Sequence, residues 1–144
     1  MQYSLRKAND GDVGFLLDLR EITMGNYLRE AGMPVTREAY INRIRYDFEH
    51  ARIILVNGVS AGLIKAKFKK EENEWYLVQI QIHPNFQNHS IASRLITNLI
   101  DKAKSTNAVV GLSVLKTNPA KDLYARLGFV EVGETDFEYL MQYA

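Results

Sequence analysis

Apolar residues recur along this chain at two spacings, and each change of spacing marks a change of element. Tyr3–Lys7 has the length of a short first strand. Asp10-Gly11-Asp12 supplies helix N-cap chemistry, and Phe15, Leu16, Leu19 and Ile22 follow at helical spacing. Gly32 and Pro34 break that helix. Thr36 then caps a second one, whose apolar stripe is Tyr40, Ile41, Ile44 and Phe48. The middle of the chain is strand-like: Arg52–Val56 and Ala61–Phe68 flank Asn57-Gly58, a strong hairpin signal. After a charged turn from Lys69 to Glu74, Trp75–His83 reads as a long strand. Strict alternation puts Tyr76, Val78, Ile80 and Ile82 on one of its faces and Trp75, Leu77, Gln79, Gln81 and His83 on the other, unless a bulge intervenes.

Pro84 ends that strand. A helix begins near Ser90, and Ala92, Leu95, Ile96, Leu99, Ile100 and Ala103 give the cleanest helical periodicity in the chain. Val109–Leu115 has the composition of a buried strand. Asn118-Pro119 offers an N-cap followed by proline at the first helical position, and Gly128 is a natural residue to end that helix after Leu127. Phe129–Val132 and Phe137–Tyr143 are the last two strands, joined around Gly133-Glu134. The order is strand, two helices, three strands, helix, strand, helix, two strands. That order predicts an α/β fold, a mixed sheet with helices on both faces. No linker, repeat or low-complexity run divides it, so residues 1–144 read as one domain.

Composition narrows the function. A length of 144 residues, 47% hydrophobic and 24% charged, is enough to enclose one core. A net charge of +1 argues against a dedicated nucleic-acid binder. With no cysteine, disulfides, thiolate metal sites and a cysteine nucleophile are excluded. The N-terminal Met-Gln-Tyr-Ser-Leu-Arg-Lys carries no secretory apolar run, and no stretch has the ~20 apolar residues of a membrane span. The expectation is a cytoplasmic protein with no membrane partner.

The segment Ile80 to Leu95, I-Q-I-H-P-N-F-Q-N-H-S-I-A-S-R-L, carries the chemistry. A strand stops at proline, a polar turn follows, and a helix starts at once. The first turn of a helix has unpaired N–H groups and the positive end of the helix dipole, so the turn can cradle a pyrophosphate. Downstream, Asn118 to Phe129, N-P-A-K-D-L-Y-A-R-L-G-F, is a capped helix running into a strand.

Together the two segments resemble the GNAT N-acetyltransferase superfamily. Its signature runs from a strand ending in hydrophobic-x-Pro through Gln/Arg-x-x-Gly-x-Gly/Ala into a helix, with Asn, Leu-Tyr and Gly-Phe later. Gln87 and Ala92 fill the first and last positions of the turn, and Asn118, Leu123-Tyr124 and Gly128-Phe129 match the later pattern. One position departs: Ser90 stands where the family usually has glycine. A serine there adds a Cβ near the ligand, or serves as an N-cap whose hydroxyl can reach a phosphate.

The resemblance implies a GNAT fold with a mostly antiparallel sheet, and transfer of an acetyl group from acetyl-CoA to an amine without metal. It implies that backbone groups of Ile80 and Ile82 pair with the pantetheine arm. Gln87, Asn88, His89, Ser90, Ile91 and Ala92 would take the pyrophosphate, and Asn118 would contact the pantetheine. Tyr124 would reach the thioester sulfur as general acid. The acceptor is expected to be a small-molecule or peptide amine near the first two helices, which carry Tyr27, Arg29, Tyr40 and Arg43. No acid on the long strand presents itself as a base: Gln79 and Gln81 are amides, and His83 lies at the strand end. A homodimer stays open, as does a non-catalytic acyl-CoA-binding module of the same fold.

Overall fold

In the computed structural model, which describes residues 1–144, β1 (Ser4–Lys7) leads through a 3-10 turn at Asp10–Asp12 into α1 (Val13–Glu30). The cap of that turn is Asn9. Its Oδ1 accepts from the Gly11 N–H at 2.9 Å, and Asp12 accepts from the Asn9 N–H at 2.8 Å. This reciprocal pair satisfies donors that the start of a helix leaves open. Arg6 forks onto both Asp12 oxygens at 2.8 and 2.7 Å and holds that carboxyl below the usual carboxylate range. Along α1, Leu16, Leu19 and Leu28 are buried, whereas Ile22 of the expected stripe is exposed.

Thr36 caps α2 (Arg37–Arg45), accepting from the Ala39 N–H at 3.2 Å. The helix ends before Phe48, because Asp47 takes a left-handed φ of 52°. Phe48 therefore packs from a separate turn instead of extending the stripe of α2. The strands β2 (Ala51–Val56) and β3 (Val59–Lys69) meet at Asn57-Gly58, with positive φ at both residues as the tight hairpin requires. β4 (Glu74–Ile82), α3 (Ile91–Lys104), β5 (Val109–Leu115), α4 (Ala120–Arg126), β6 (Val130–Glu134) and β7 (Glu138–Tyr143) complete the chain.

One seven-stranded sheet runs β1-β2-β3-β4-β5-β7-β6. Every neighbouring pair is antiparallel except β4–β5, which is parallel and joined by the α3 crossover. The sheet is thus mostly antiparallel. On one face, α3 buries Leu95, Ile96 and Leu99 against Ile64, Leu77 and Val110, with Tyr124 and Phe129 in the same cluster. On the other, Leu16 and Leu19 of α1 and Ile44 of α2 cover Ile53 and Leu63. Gly128 ends α4 at φ 106°, and the Phe129 N–H returns to the Tyr124 carbonyl at 3.0 Å. That is the helix-ending bond pattern a left-handed glycine permits.

Candidate active site

The long strand does not alternate strictly. Against β3, Lys65 pairs with Gln79 but the next residue, Ala66, pairs with Leu77, so Val78 is an extra residue in β4. A bulge of this kind reverses the facing of everything beyond it. Trp75, Leu77, Ile80 and Ile82 consequently share the α3 face, and Tyr76, Gln79 and Gln81 share the α1–α2 face. This corrects the expected grouping of Tyr76 with Ile80 and Ile82, and of Leu77 with the glutamines. The Val78 carbonyl accepts from Arg43 Nη2 at 3.1 Å.

Beyond the bulge β4 also parts from β5. The parallel ladder pairs Glu74–Leu77 with Val109–Leu112 and goes no further. From Val78 to Ile82 the β5-facing edge of β4 has no strand beside it. The His83 N–H donates to Ala61 of β3 at 2.8 Å, so the alternation of an antiparallel ladder turns the backbone groups of Ile80 and Ile82 toward the gap. A close approach holds β3 and β4 together here: a Cβ at Gly62 would collide with the Gln81 carbonyl oxygen.

The gap leads to the start of α3. Gln87 Nε2 donates to the Ile82 carbonyl at 2.9 Å, while the Gln87 N–H is spent on Pro84. From Asn88 to Ser93 no backbone N–H has an acceptor within the protein. Asn88 and Ser90 are both left-handed, with φ of 66° and 60°. Such a turn at a helix N-terminus makes a concave donor surface suited to an anion. Ser90 makes no capping hydrogen bond, so the capping role offered for it does not hold. A hollow of about 340 Å³ lies here between Ile82, Gln87, Ser90, Ala92 and Leu123.

From the gap between β4 and β5 toward the α1–α2 side, a cleft of about 330 Å³ is bounded by α1, α2, β4, β5 and α4. Tyr124 lines it and is otherwise buried, with its ring edge-on to Phe129 at 6.0 Å between centroids. Burial pushes the Tyr124 hydroxyl up to about 12. Asn118 also lines the cleft. Its Oδ1 accepts from the Ala120 N–H at 2.9 Å, which starts α4 and so positions Tyr124, and its Nδ2 sits 3.7 Å from Met24 Sδ. Gln79 and Gln81 line the cleft as well, and the Gln79 Oε1 is buried without a donor. His83 does not line it; its Nδ1 accepts from the Asn85 N–H at 3.1 Å.

Arg43, noted above near the acceptor, lines the cleft, and so do two charged residues that the sequence reading missed, Arg20 and Glu138. Arg20 lies on the helical face that buries Leu16 and Leu19, where an apolar stripe hides a cation from pattern reading. Burial, and then the Arg43 guanidinium, push it down to about 10. Glu138 opens β7 opposite Leu115. Of the other residues noted on the first helices, Arg29 and Tyr40 are occupied with Glu21, at 2.8 and 2.7 Å.

The acetyltransferase (GNAT) family profile matches residues 16–129. The chain belongs to that family. It is an acetyl-CoA-dependent N-acetyltransferase, and acetyl-CoA is its cosubstrate. No curated protein matches this acetyltransferase in sequence. Among solved structures it is similar to the PaiA N-acetyltransferase from Thermoplasma acidophilum in complex with coenzyme A. The identity is 16%, covering 99% of this chain and 98% of that one, at a TM-score of 0.73. It is similar also to the ribosomal-protein-S18-alanine N-acetyltransferase from Escherichia coli, at 18% identity, 98% and 92% coverage and a TM-score of 0.66. A third likeness is to N-acetylglutamate synthase from Neisseria gonorrhoeae complexed with coenzyme A and N-acetyl-glutamate. There the identity is 19%, the coverage 99% of this chain and 35% of that one, and the TM-score 0.69. The acetyltransferase has no helix long and apolar enough to cross a membrane.

Proposed function

We propose that the acetyl group passes to a small-molecule or peptide amine by direct attack, with Tyr124 as general acid. The observation that carries this reading is the unladdered stretch of β4 from Val78 to Ile82. It is bordered by the unpaired N–H groups at the start of α3 and continuous with the cleft that Tyr124 lines. The pantetheine arm of acetyl-CoA lies along Ile80 and Ile82, its pyrophosphate on the turn from Asn88 to Ala92, and Gln87 holds that turn to β4. Asn118 acts by building α4 under Tyr124 and by facing the arm.

The neutral amine attacks the thioester carbonyl carbon. A carbon–nitrogen bond forms, and a backbone N–H of β4 beside the gap steadies the oxyanion. Collapse breaks the carbon–sulfur bond, the leaving thiolate takes the Tyr124 proton, and the proton that the attacking nitrogen sheds as it becomes an amide returns through water to the Tyr124 phenolate. A phenol near 12 is fully protonated at neutral pH and therefore available as a donor. The burial that raises it also disfavours a thiolate, so the proton moves to sulfur as the bond breaks. An alkylammonium acceptor loses its proton first, to water ordered by Gln79 and Gln81, whose amides cannot take a proton themselves.

The experiment is release of CoA thiol from acetyl-CoA across a panel of amines. Amine-dependent release with formation of the N-acetyl product is expected. Tight CoA binding with transfer to none of them would make the chain a non-catalytic acyl-CoA-binding module.

A further inference from the structure

Arg20 and Arg43 are the cations of the acceptor side of the cleft, one from α1 and one from α2. Neither takes part in any ion pair of the molecule. The contrast with their neighbours is sharp. Arg6 has Asp12 at 2.7 Å, Lys67 has Asp47 at 2.6 Å, and Arg29 has Glu21 at 2.8 Å. The buried Lys65 ammonium, also cationic and just behind them, is satisfied by the carbonyls of Arg43, Ile44 and Tyr46. Arg20 Nε is sealed from solvent without an acceptor, and Arg43 spends one donor on the Val78 carbonyl. A guanidinium offers five N–H donors, so most of this pair's capacity is open.

A purely structural role is the competing account. Arg20 does lie over the Tyr40 ring at 5.5 Å and Arg43 over Tyr46 at 5.3 Å. Stacking satisfies the faces of the guanidinium planes and leaves their N–H edges unsatisfied. It also gives no reason to bring two like charges together in a half-buried place, which is unfavourable until an anion arrives.

We propose that Arg20 and Arg43 bind a carboxylate on the acceptor, so that the substrate is a small amino acid whose free amine is acetylated. This rests on the acetyl-transfer reading above. The planar fork of a guanidinium matches a carboxylate edge with paired hydrogen bonds. The anchor lies beside the Val78 bulge, where β4 leaves β5, so a carboxylate held there keeps the amine close to the thioester end of the gap. Glu138 lines the same cleft from β7, an anion suited to the ammonium of an incoming zwitterion. A cleft of about 330 Å³ suits a molecule of that size.

The test compares kcat/KM for glycine, β-alanine and glutamate with their carboxamides, and with O-phosphoethanolamine. At least a tenfold preference for the acids is expected, the scale of one lost charged hydrogen bond. Arg20→Gln and Arg43→Gln should collapse that ratio through KM while the CoA dissociation constant holds. Equal or better use of the carboxamides overturns the proposal and leaves acetyl transfer standing. Preference for O-phosphoethanolamine reassigns the pair to phosphate and also overturns it. If no amine turns over, or a variant fails to fold, binding of N-acetylglycine and N-acetylglutamate to the wild-type CoA-loaded protein decides by saturation-transfer NMR. Binding of these acids but not of their amides supports the proposal, and absence of binding ends it.

Discussion

Gln87 donates its side-chain amide to the Ile82 carbonyl at 2.9 Å, tying the turn before α3 to the last residue of β4. Arg94 adds longer bonds to the Ser90 and His89 carbonyls at 3.4 Å, but only the Gln87 side chain links the turn to β4. Removing the tie should loosen the cradle before the ligand arrives. Gln87→Ala is expected to weaken CoA binding about three- to tenfold, the equivalent of one ordinary hydrogen bond. Isothermal titration checks it, and an unchanged dissociation constant would detach the turn from the cofactor.

Ser90 occupies a left-handed conformation without a compensating cap. Glycine adopts that conformation without the Cβ penalty of about 1 kcal/mol or more. Ser90→Gly should therefore raise stability by up to about 1 kcal/mol, part of the gain being offset by unfolded-chain entropy, and bind CoA at least as well. If the turn holds the pyrophosphate as proposed, Ser90→Asp sets a carboxylate beside it and should bind CoA far more weakly. Chemical denaturation and CoA titration on the two variants read both effects.

Tyr124→Phe deletes a hydroxyl that has no hydrogen-bond partner in the protein while keeping the ring against Phe129. The melting temperature should hold. The kcat should fall about 10- to 1000-fold, the range of a lost general acid, with little change in acetyl-CoA affinity. A single-turnover assay separates this from slow product release.

Lys65 gives the pH dependence of stability a definite sign. Burial, and then Arg43, lower the ammonium from 10.5 to about 8 in the folded chain. Between those values the unfolded chain holds a proton that the folded one has released, so stability rises with pH across that window. The full difference is about 3 kcal/mol. Arg20, near 10 in the folded chain, and Tyr124 and Tyr40, which ionise from 10.0 in the unfolded one, already titrate as pH 10 is approached, so the interval from pH 8 to about pH 9 isolates Lys65. Urea unfolding across it should show a rise in the wild type that Lys65→Met loses.

The element order was legible in the sequence because each boundary has a local cause: Asn57-Gly58, Thr36, Pro84 and Gly128 act on their own neighbourhoods. Gln87, Asn118 and Tyr124 stood out only through the resemblance to the GNAT family, which two separate short segments carry. What stayed hidden depends on partners distant in the chain. The extra residue at Val78 exists only relative to β3, and no local residue announces it. Arg20 drew no notice along the stripe of Leu16 and Leu19, and only α2 and β4 folding near it make it part of a cleft. For Ser90 the sequence left a glycine-like position and an N-cap both open, and the left-handed backbone without a capping bond selects the first.

Val78 makes β4 a sentence with a change of frame in the middle. Before it, odd-numbered positions are written for the apolar core; after it, even-numbered positions are. Running the strand through Val78 in strict alternation, with no extra residue, would translate its second half wrongly. Gln79 and Gln81 would be delivered into the packing beneath α3, and Ile80 and Ile82 would be left facing the substrate.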